Sequence, residues 1–302
     1  MRAATFAEFG GPEVLTLAEI PEPIAGAGQI RVEVRAIGVN RFDGKVRSGS
    51  MESMFSTPLP AVLGLELTGV VDQVGEGVTD VAIGDRVAGW AVGRPGAYAE
   101  RALMATYAAV PDGLGDDVAA AVPVATEAAR RALDAVGVTR GSTVVIHGAS
   151  GGVGALAVQQ AVARGAAVVA TASARHHDRL RTFGALPISY DAGWADRAAT
   201  LAPSGIDAVV DTAGRGLLPE SVRLVGSPDR VVTIADPDAD ALGVEFSSAA
   251  DNRADLLAED LAAVARGDLE VTVAQVLPLA EAAEAHRILD GGHAGGKVVL
   301  RP

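Results

Sequence analysis

One run of residues constrains this chain more than any other: Val144-Val145-Ile146-His147-Gly148-Ala149-Ser150-Gly151-Gly152-Val153-Gly154. A hydrophobic strand enters a cluster of glycines there and leaves directly into an amphipathic helix. Glycines let the backbone approach a pyrophosphate with no Cβ in the way, and the N–H groups at a helix start attract an anion. In strand–turn–helix context the pattern points to a bound dinucleotide; outside it, the same glycines would only pack a helix on a strand.

The pattern around this run fits a parallel sheet. From Asp116 onward helix and strand alternate: a helix over 116–136 interrupted at Pro123, a strand at Thr143–His147, a helix over 153–163 and a strand at 167–172. Further strands are expected at Ala208–Asp211, 230–235 and 244–246, which predicts a doubly wound sheet covered on both faces. The residues before Asp116 read differently. Short alternating runs such as Ile30-Arg31-Val32-Glu33-Val34 lie between turn residues, among them Gly75-Glu76-Gly77 and Gly84-Asp85, and predict an antiparallel sheet or barrel. A helix over 251–266, a second over 279–289 and a strand at 297–300 return the tail to that first part. The expected fold class is therefore α/β, with a β-rich domain from residues 1–115 and 251–302 and a dinucleotide domain from 116–250.

The end of the strand at 167–172 bears on which dinucleotide fits. A site for NAD places an acid there to accept from the ribose 2′-hydroxyl. Here the chain reads Ala172-Ser173-Ala174-Arg175-His176-His177, with no acid before Asp178. A hydroxyl followed by a guanidinium suits the 2′-phosphate of NADPH. The alternative makes Arg175 a solvated residue and Asp178 a first-turn charge complementing a helix dipole. The adjacent histidines read as surface residues or partial phosphate partners rather than metal ligands.

Composition closes off other classes. With no cysteine, disulfides, iron–sulfur clusters, thiolate zinc sites and cysteine nucleophiles are excluded. A net charge of −13 disfavours nucleic acid as a partner. No apolar run approaches the ~18 residues of a membrane span, and no signal-peptide stretch follows Met1, so the expected location is the cytoplasm.

An ordered set of further motifs resembles the medium-chain dehydrogenase/reductase superfamily, on its quinone oxidoreductase (zeta-crystallin-like) branch. The set includes Phe9-Gly10-Gly11-Pro12-Glu13-Val14-Leu15, Gly38-Val39-Asn40-Arg41-Phe42-Asp43, Gly64-Leu65-Glu66, Gly84-Asp85-Arg86-Val87, Gly96-Ala97-Tyr98-Ala99-Glu100, Asp211-Thr212-Ala213-Gly214 and Gly296-Lys297-Val298-Val299-Leu300. It spans nearly the whole chain. The resemblance implies a GroES-like catalytic domain, a Rossmann domain binding NADPH, and a homodimer joined through the strand Val244-Glu245-Phe246. Zinc-dependent relatives carry Gly-His-Glu where this chain has Gly64-Leu65-Glu66, so the resemblance implies zinc-free chemistry and no metal site.

It further implies cofactor contacts at Thr126, Ser150, Gly151, Gly152, Val153, Ser173, Arg175, Tyr190, Thr212, Ala213 and Ala235. Quinone reductases often have tyrosine in the segment matching Asp43-Gly44-Lys45-Val46-Arg47, and many relatives read Leu-Thr-Ala where this chain has Pro123-Val124-Ala125-Thr126. Asn40 is the candidate for holding the nicotinamide ribose or the substrate carbonyl, or else a turn residue. Lys45 is a candidate donor to an enolate, or else solvated; Tyr98 contacts the site or only braces the domain. The expected reaction is hydride transfer to a quinone or an α,β-unsaturated carbonyl. The alternatives are an enoyl-thioester reductase and a non-catalytic, crystallin-like nucleotide-binding protein.

Overall fold

The computed structural model describes residues 1–53, 56–94, 96–292 and 294–302. The chain divides into two compact units, Met1–Val124 with Asn252–Pro302, and Ala125–Asp251.

The first unit begins with β1 (Arg2–Phe6), β2 (Thr16–Glu19), β3 (Ile30–Val39), helix α1 (Arg41–Arg47), β4 (Ala61–Val62), β5 (Glu66–Val74), β6 (Arg86–Ala91), β7 (Arg101–Ala109) and the single turn α2 (Asp116–Ala119). Alternation along β3 puts Ile30, Val32 and Val34 inside, in one core with Leu67, Val71, Val87 and Met104. β3 pairs antiparallel with β5 over most of its length and with β7 through Ile30–Glu33. Because β5–β6 and β6–β7 are also paired, the strands close on themselves as a small barrel. Gly38 lies where β3 passes close under α2; a Cβ there would come within 2.6 Å of the Ala120 carbonyl oxygen.

The unit boundary falls in the first turn of α3 (Pro123–Ala135). The predicted interruption at Pro123 is present: α2 ends four residues earlier, and proline, which lacks an N–H, starts a new helix. The second unit then runs β8 (Thr143–His147), α4 (Gly152–Ala163), β9 (Ala167–Thr171), α5 (His177–Thr182), β10 (Leu186–Ile188), α6 (Trp194–Leu201), β11 (Ala208–Asp211), α7 (Leu218–Val225), β12 (Val231–Thr233) and β13 (Glu245–Phe246). The strands form an all-parallel sheet in the order β10-β9-β8-β11-β12-β13. Val145, Val169, Val209 and Val231 pack with Trp194 and Leu218 of α6 and α7. Their neighbours Val144, Ile146, Val168 and Val210 are equally buried on the opposite face. Strands covered on both sides read as unbroken apolar runs for this reason. This is the GroES-like plus Rossmann-type α/β architecture.

β12 is shorter than the sequence suggests. The Thr233 hydroxyl accepts from the amides of Ala235 and Asp236, 3.0 Å each, and turns the chain out of the sheet. The tail returns to the first unit through α8 (Ala254–Arg266), β14 (Val273–Pro278), α9 (Ala282–Asp290) and β15 (Lys297–Arg301). α8 starts later than predicted because the Asp251 amide is held by Glu127 at 3.0 Å. β15 pairs antiparallel with β3 through Val298–Leu300, filling the flank of the barrel. Among the described residues no helix is long and apolar enough to cross a membrane.

Candidate functional site

The sheet of the second unit is in register across its width. Ile188, Thr171, His147, Asp211, Thr233 and Phe246 stand at one level near the carboxyl ends of their strands. The residues expected to meet the cofactor follow this level on successive strands. Tyr190 comes after β10, Ser173 and Arg175 after β9, Ser150 to Val153 after β8, Thr212 and Ala213 after β11, and Ala235 after β12. The sheet order changes direction between β8 and β11, the switch point at which open parallel sheets leave a crevice.

Local chemistry shapes the crevice floor. Gly148 is in the left-handed region at φ +73°, and a Cβ on it would come within 2.8 Å of the Thr212 hydroxyl. Gly154 faces the Gly148 carbonyl so closely that any side chain would collide with backbone. Gly151 is the cap residue of α4 and no side chain satisfies the first-turn amides, while a Cβ on Gly151 would project beside the Gly148 carbonyl at 3.3 Å. Those donors and that unfilled space fit a pyrophosphate. The neighbouring loops are rigid. Thr212 donates to the His147 carbonyl at 2.7 Å, and Asp211 accepts from the amides of Ala213 and Gly214 and from the Thr233 hydroxyl. Burial pushes the Asp211 carboxyl upward in pKa, against these bonds.

Beneath the crevice, His147 is fully buried. Ser221 donates to the Leu217 carbonyl, so it accepts from Nε2–H of His147 at 3.1 Å, and Nδ1 accepts from Thr171 at 2.9 Å. Burial lowers its pKa to about 3 and the ring is neutral. It joins the ends of β8 and β9 to α7. At the end of β9, Ser173 is half-buried and Arg175 exposed, and the one nearby acid, Asp178, is paired with Arg181 at 2.6 Å. Tyr190 is 49% exposed. Thr126 is buried on α3, where its carbonyl accepts from Gln160 of α4 at 3.2 Å.

The first unit holds the other three candidates, and the structure places them unequally. Asn40 starts α1 with both ends of its amide engaged. Nδ2 donates to Glu66 at 2.9 Å, and Oδ1 accepts from Lys297 at 2.6 Å. Lys297 also pairs with Glu66, which takes the Val124 amide at 2.7 Å on its other oxygen. Tyr98 has no accessible surface. Its hydroxyl donates to Asp43 at 3.2 Å and receives Nε2–H of His286 at 3.1 Å, because Nδ1 of that ring accepts from Arg47 at 2.8 Å. Tyr98 thus braces the unit and presents nothing to a substrate. Lys45 is half-buried on α1. Burial dominates the titration here too: it raises Asp43 to about 7 and lowers His286 to about 4.

Sequence reasoning missed His147, Asp43, His286 and Lys297 as members of these networks. Two of them left a trace. Lys297 is a lone charge opening an apolar strand, and His286 lies at helical spacing from Ala282, Ala285 and Leu289, on a face that ought to be buried. The chain has no cysteine, and among the described residues no group of three or more His, Cys, Asp or Glu is placed to hold a metal.

Comparison with known proteins agrees with this anatomy. The model of the alcohol dehydrogenase GroES-like domain matches residues 26–116, and that of zinc-binding dehydrogenases matches residues 183–300. A quinone oxidoreductase of Pseudomonas aeruginosa is 33% identical, over 98% of each chain. The chain belongs to the medium-chain dehydrogenase/reductase superfamily, on its quinone oxidoreductase branch. Among solved structures of the superfamily, the Escherichia coli quinone oxidoreductase complexed with NADPH superposes with a TM-score of 0.85, at 26% identity over 100% of both chains. The erythronolide synthase EryA2 of Saccharopolyspora erythraea is 34% identical over 93% of this chain, which corresponds to 8% of that synthase. As a member of this branch the protein is an oxidoreductase acting on a small molecule.

Proposed function

We propose that the protein is an NADPH-dependent, zinc-independent reductase that delivers hydride to a quinone or to an α,β-unsaturated carbonyl. The observation that carries this reading is the crevice edge of the second unit. There the uncapped amides of α4 stand beside a strand end that offers Ser173 and Arg175 and no unpaired acid. Ser150, Gly151, Gly152 and Val153 would hold the pyrophosphate. Ser173, Arg175 and Tyr190 would hold the 2′-phosphate, where a carboxylate would repel it. Thr126, Thr212, Ala213 and Ala235 would border the nicotinamide half. When bound, the cofactor supplies the hydride; the protein supplies position, dryness and charge stabilisation.

Hydride addition to an enone or quinone leaves negative charge on oxygen, which a fixed donor stabilises. In the first unit Lys45 is assigned that donor role. Asn40 is a positioning residue, its amide orientation fixed by the cation of Lys297 on one side and the carboxylate of Glu66 on the other. The homodimer reading attaches to β13, which is the edge strand of its sheet.

A second reading has a specific observation behind it. The erythronolide synthase EryA2 is as similar to this chain as the first-named relative, 34% against 33%, and this favours the enoyl thioester of the sequence analysis as the competing acceptor class. Following reduced-nicotinamide absorbance with NADPH and NADH against a simple quinone, an enone and an enoyl thioester tests both. Oxidation of NADPH by quinone or enone, with NADH poorly used, is expected. Turnover with the thioester alone would transfer the conclusion to the second reading. Tight NADPH binding with no turnover by any acceptor would leave a nucleotide-binding protein.

A further inference from the structure

The turn after β9 concentrates basic nitrogen. Ala174–His176 form a single 3-10 turn that leads into α5, and Arg175, His176, His177 and Arg179 follow one another there. Nε of Arg175 donates to Nε2 of His176 at 3.1 Å. That contact has a definite protonation: a ring nitrogen that accepts from a guanidinium carries no proton, so His176 is neutral with its hydrogen on Nδ1. The cations around it keep it so. Beyond the partial burial of the ring, Arg175, Arg179 and His177 all depress its pKa. Asp178 is paired with Arg181, and β10, which packs against α5, contributes Leu186, Pro187 and Ile188. His177 is occupied separately, its Nε2 lying 3.1 Å from the Ala172 carbonyl.

We propose that His176 is a proton-linked specificity residue: binding of the ribose 2′-phosphate of NADPH draws a proton from solvent onto its Nε2, and the imidazolium then joins Arg175 in distinguishing NADPH from NADH. The inference rests on the NADPH reading above. Its physics has two parts. A phosphate dianion recruits the Arg175 guanidinium into a charge-assisted contact, which releases the imidazole lone pair the guanidinium was holding. The same dianion adds negative charge beside a ring previously surrounded by positive charge, and an adjacent opposite charge favours the protonated form. NADH, with a hydroxyl at the 2′ position, does neither.

The direction of proton flow separates this from titration of the ligand. A phosphate monoester has its second pKa near 6, so binding it as a dianion at about pH 7 releases a small fraction of a proton. Uptake therefore has to come from the protein. The experiment is calorimetric titration of the purified protein with NADPH and with NADH at about pH 7, in buffers of different ionisation enthalpy, which gives protons exchanged per ligand bound. Net uptake of roughly half a proton or more is expected with NADPH and none with NADH. In His176→Gln, NADPH still binds through Arg175, about threefold to tenfold more weakly, and the uptake disappears, whereas His177→Gln keeps it. Absence of uptake in the wild type, unchanged uptake in His176→Gln, or its loss in His177→Gln instead, would each overturn the proposal while leaving NADPH preference intact. If NADPH binds no more tightly than NADH, the NADPH reading itself fails and takes the proposal with it.

Discussion

The inner network of the first unit and the strand ends of the second handle buried polarity differently. In the first, polar side chains meet one another: Lys297 on Glu66, Arg47 reaching His286 and the half-exposed Asp290, and Tyr98 donating to Asp43. The cluster frames α1. At the strand ends of the second, a buried neutral histidine and a carboxylate wrapped in amide and hydroxyl donors tie down the loops that follow the strands. One network braces α1; the other fixes the loops at the strand ends. On the reading proposed above, the site is marked by the uncapped first-turn amides of α4 rather than by the buried polar groups.

The sharpest way to break the contrast is Lys297→Met. It strands the Glu66 carboxylate, which is 0% exposed, and removing one partner of such a pair costs about 3–5 kcal/mol. Urea unfolding should show that loss, and adding Glu66→Gln should recover part of it; independent, additive costs would mean the pair is not coupled. A smaller effect is expected from Gly154→Ala. The new methyl meets the Gly148 backbone, an overpacking of about 1–3 kcal/mol, and nucleotide binding should fall with it because the same shift disturbs the amides of α4. Full nucleotide affinity in this variant, measured by fluorescence titration, would show that the glycine cradle is not the site.

The smallest effect concerns pH. The folded pKa of Asp43, about 7, lies above the ordinary carboxyl value of 3.8, so its protonated form stabilises the native state in acid. That contribution is complete below the unfolded pKa and is lost as the pH rises through about 7. Asp43→Asn should therefore cost more stability at about pH 5 than at about pH 8. The opposite ordering in thermal melts would show that Asp43 is ionised in the fold. His286 works in the reverse sense. With its pKa lowered to about 4, its contribution is present above the ordinary imidazole value of 6.5 and is lost as pH falls through about 4.

What the sequence shows and hides follows the same divide. The strand Thr143–His147 has the bounds that its apolar run suggests, and the glycine cluster is legible because strand, turn and helix start are adjacent in the chain. The loop positions Ser173, Thr212 and Ala235 were reachable through the resemblance, since each follows a strand end. The inner network was hidden. Lys297 meets Glu66 across 231 residues and Asn40 across 257, and no local period announces such a pair. Tyr98 illustrates the limit from the other side: a tyrosine beside a glycine turn reads equally as a site residue or a brace, and the partners Asp43 and His286 decide for the brace. The short helices α5 and α6 escaped because six or eight residues carry too little periodicity to rise above their surroundings.

One feature of the architecture acts in time rather than in space. The residues of the second unit are contiguous, Ala125–Asp251, whereas the first unit is written in two instalments with β15 in the later one. As the ribosome delivers the chain, the parallel-sheet unit is complete while the flank of β3 still lacks its neighbour and the Glu66 carboxylate its ammonium partner. The second unit's residues are thus all synthesised before β15, the strand whose Lys297 neutralises Glu66.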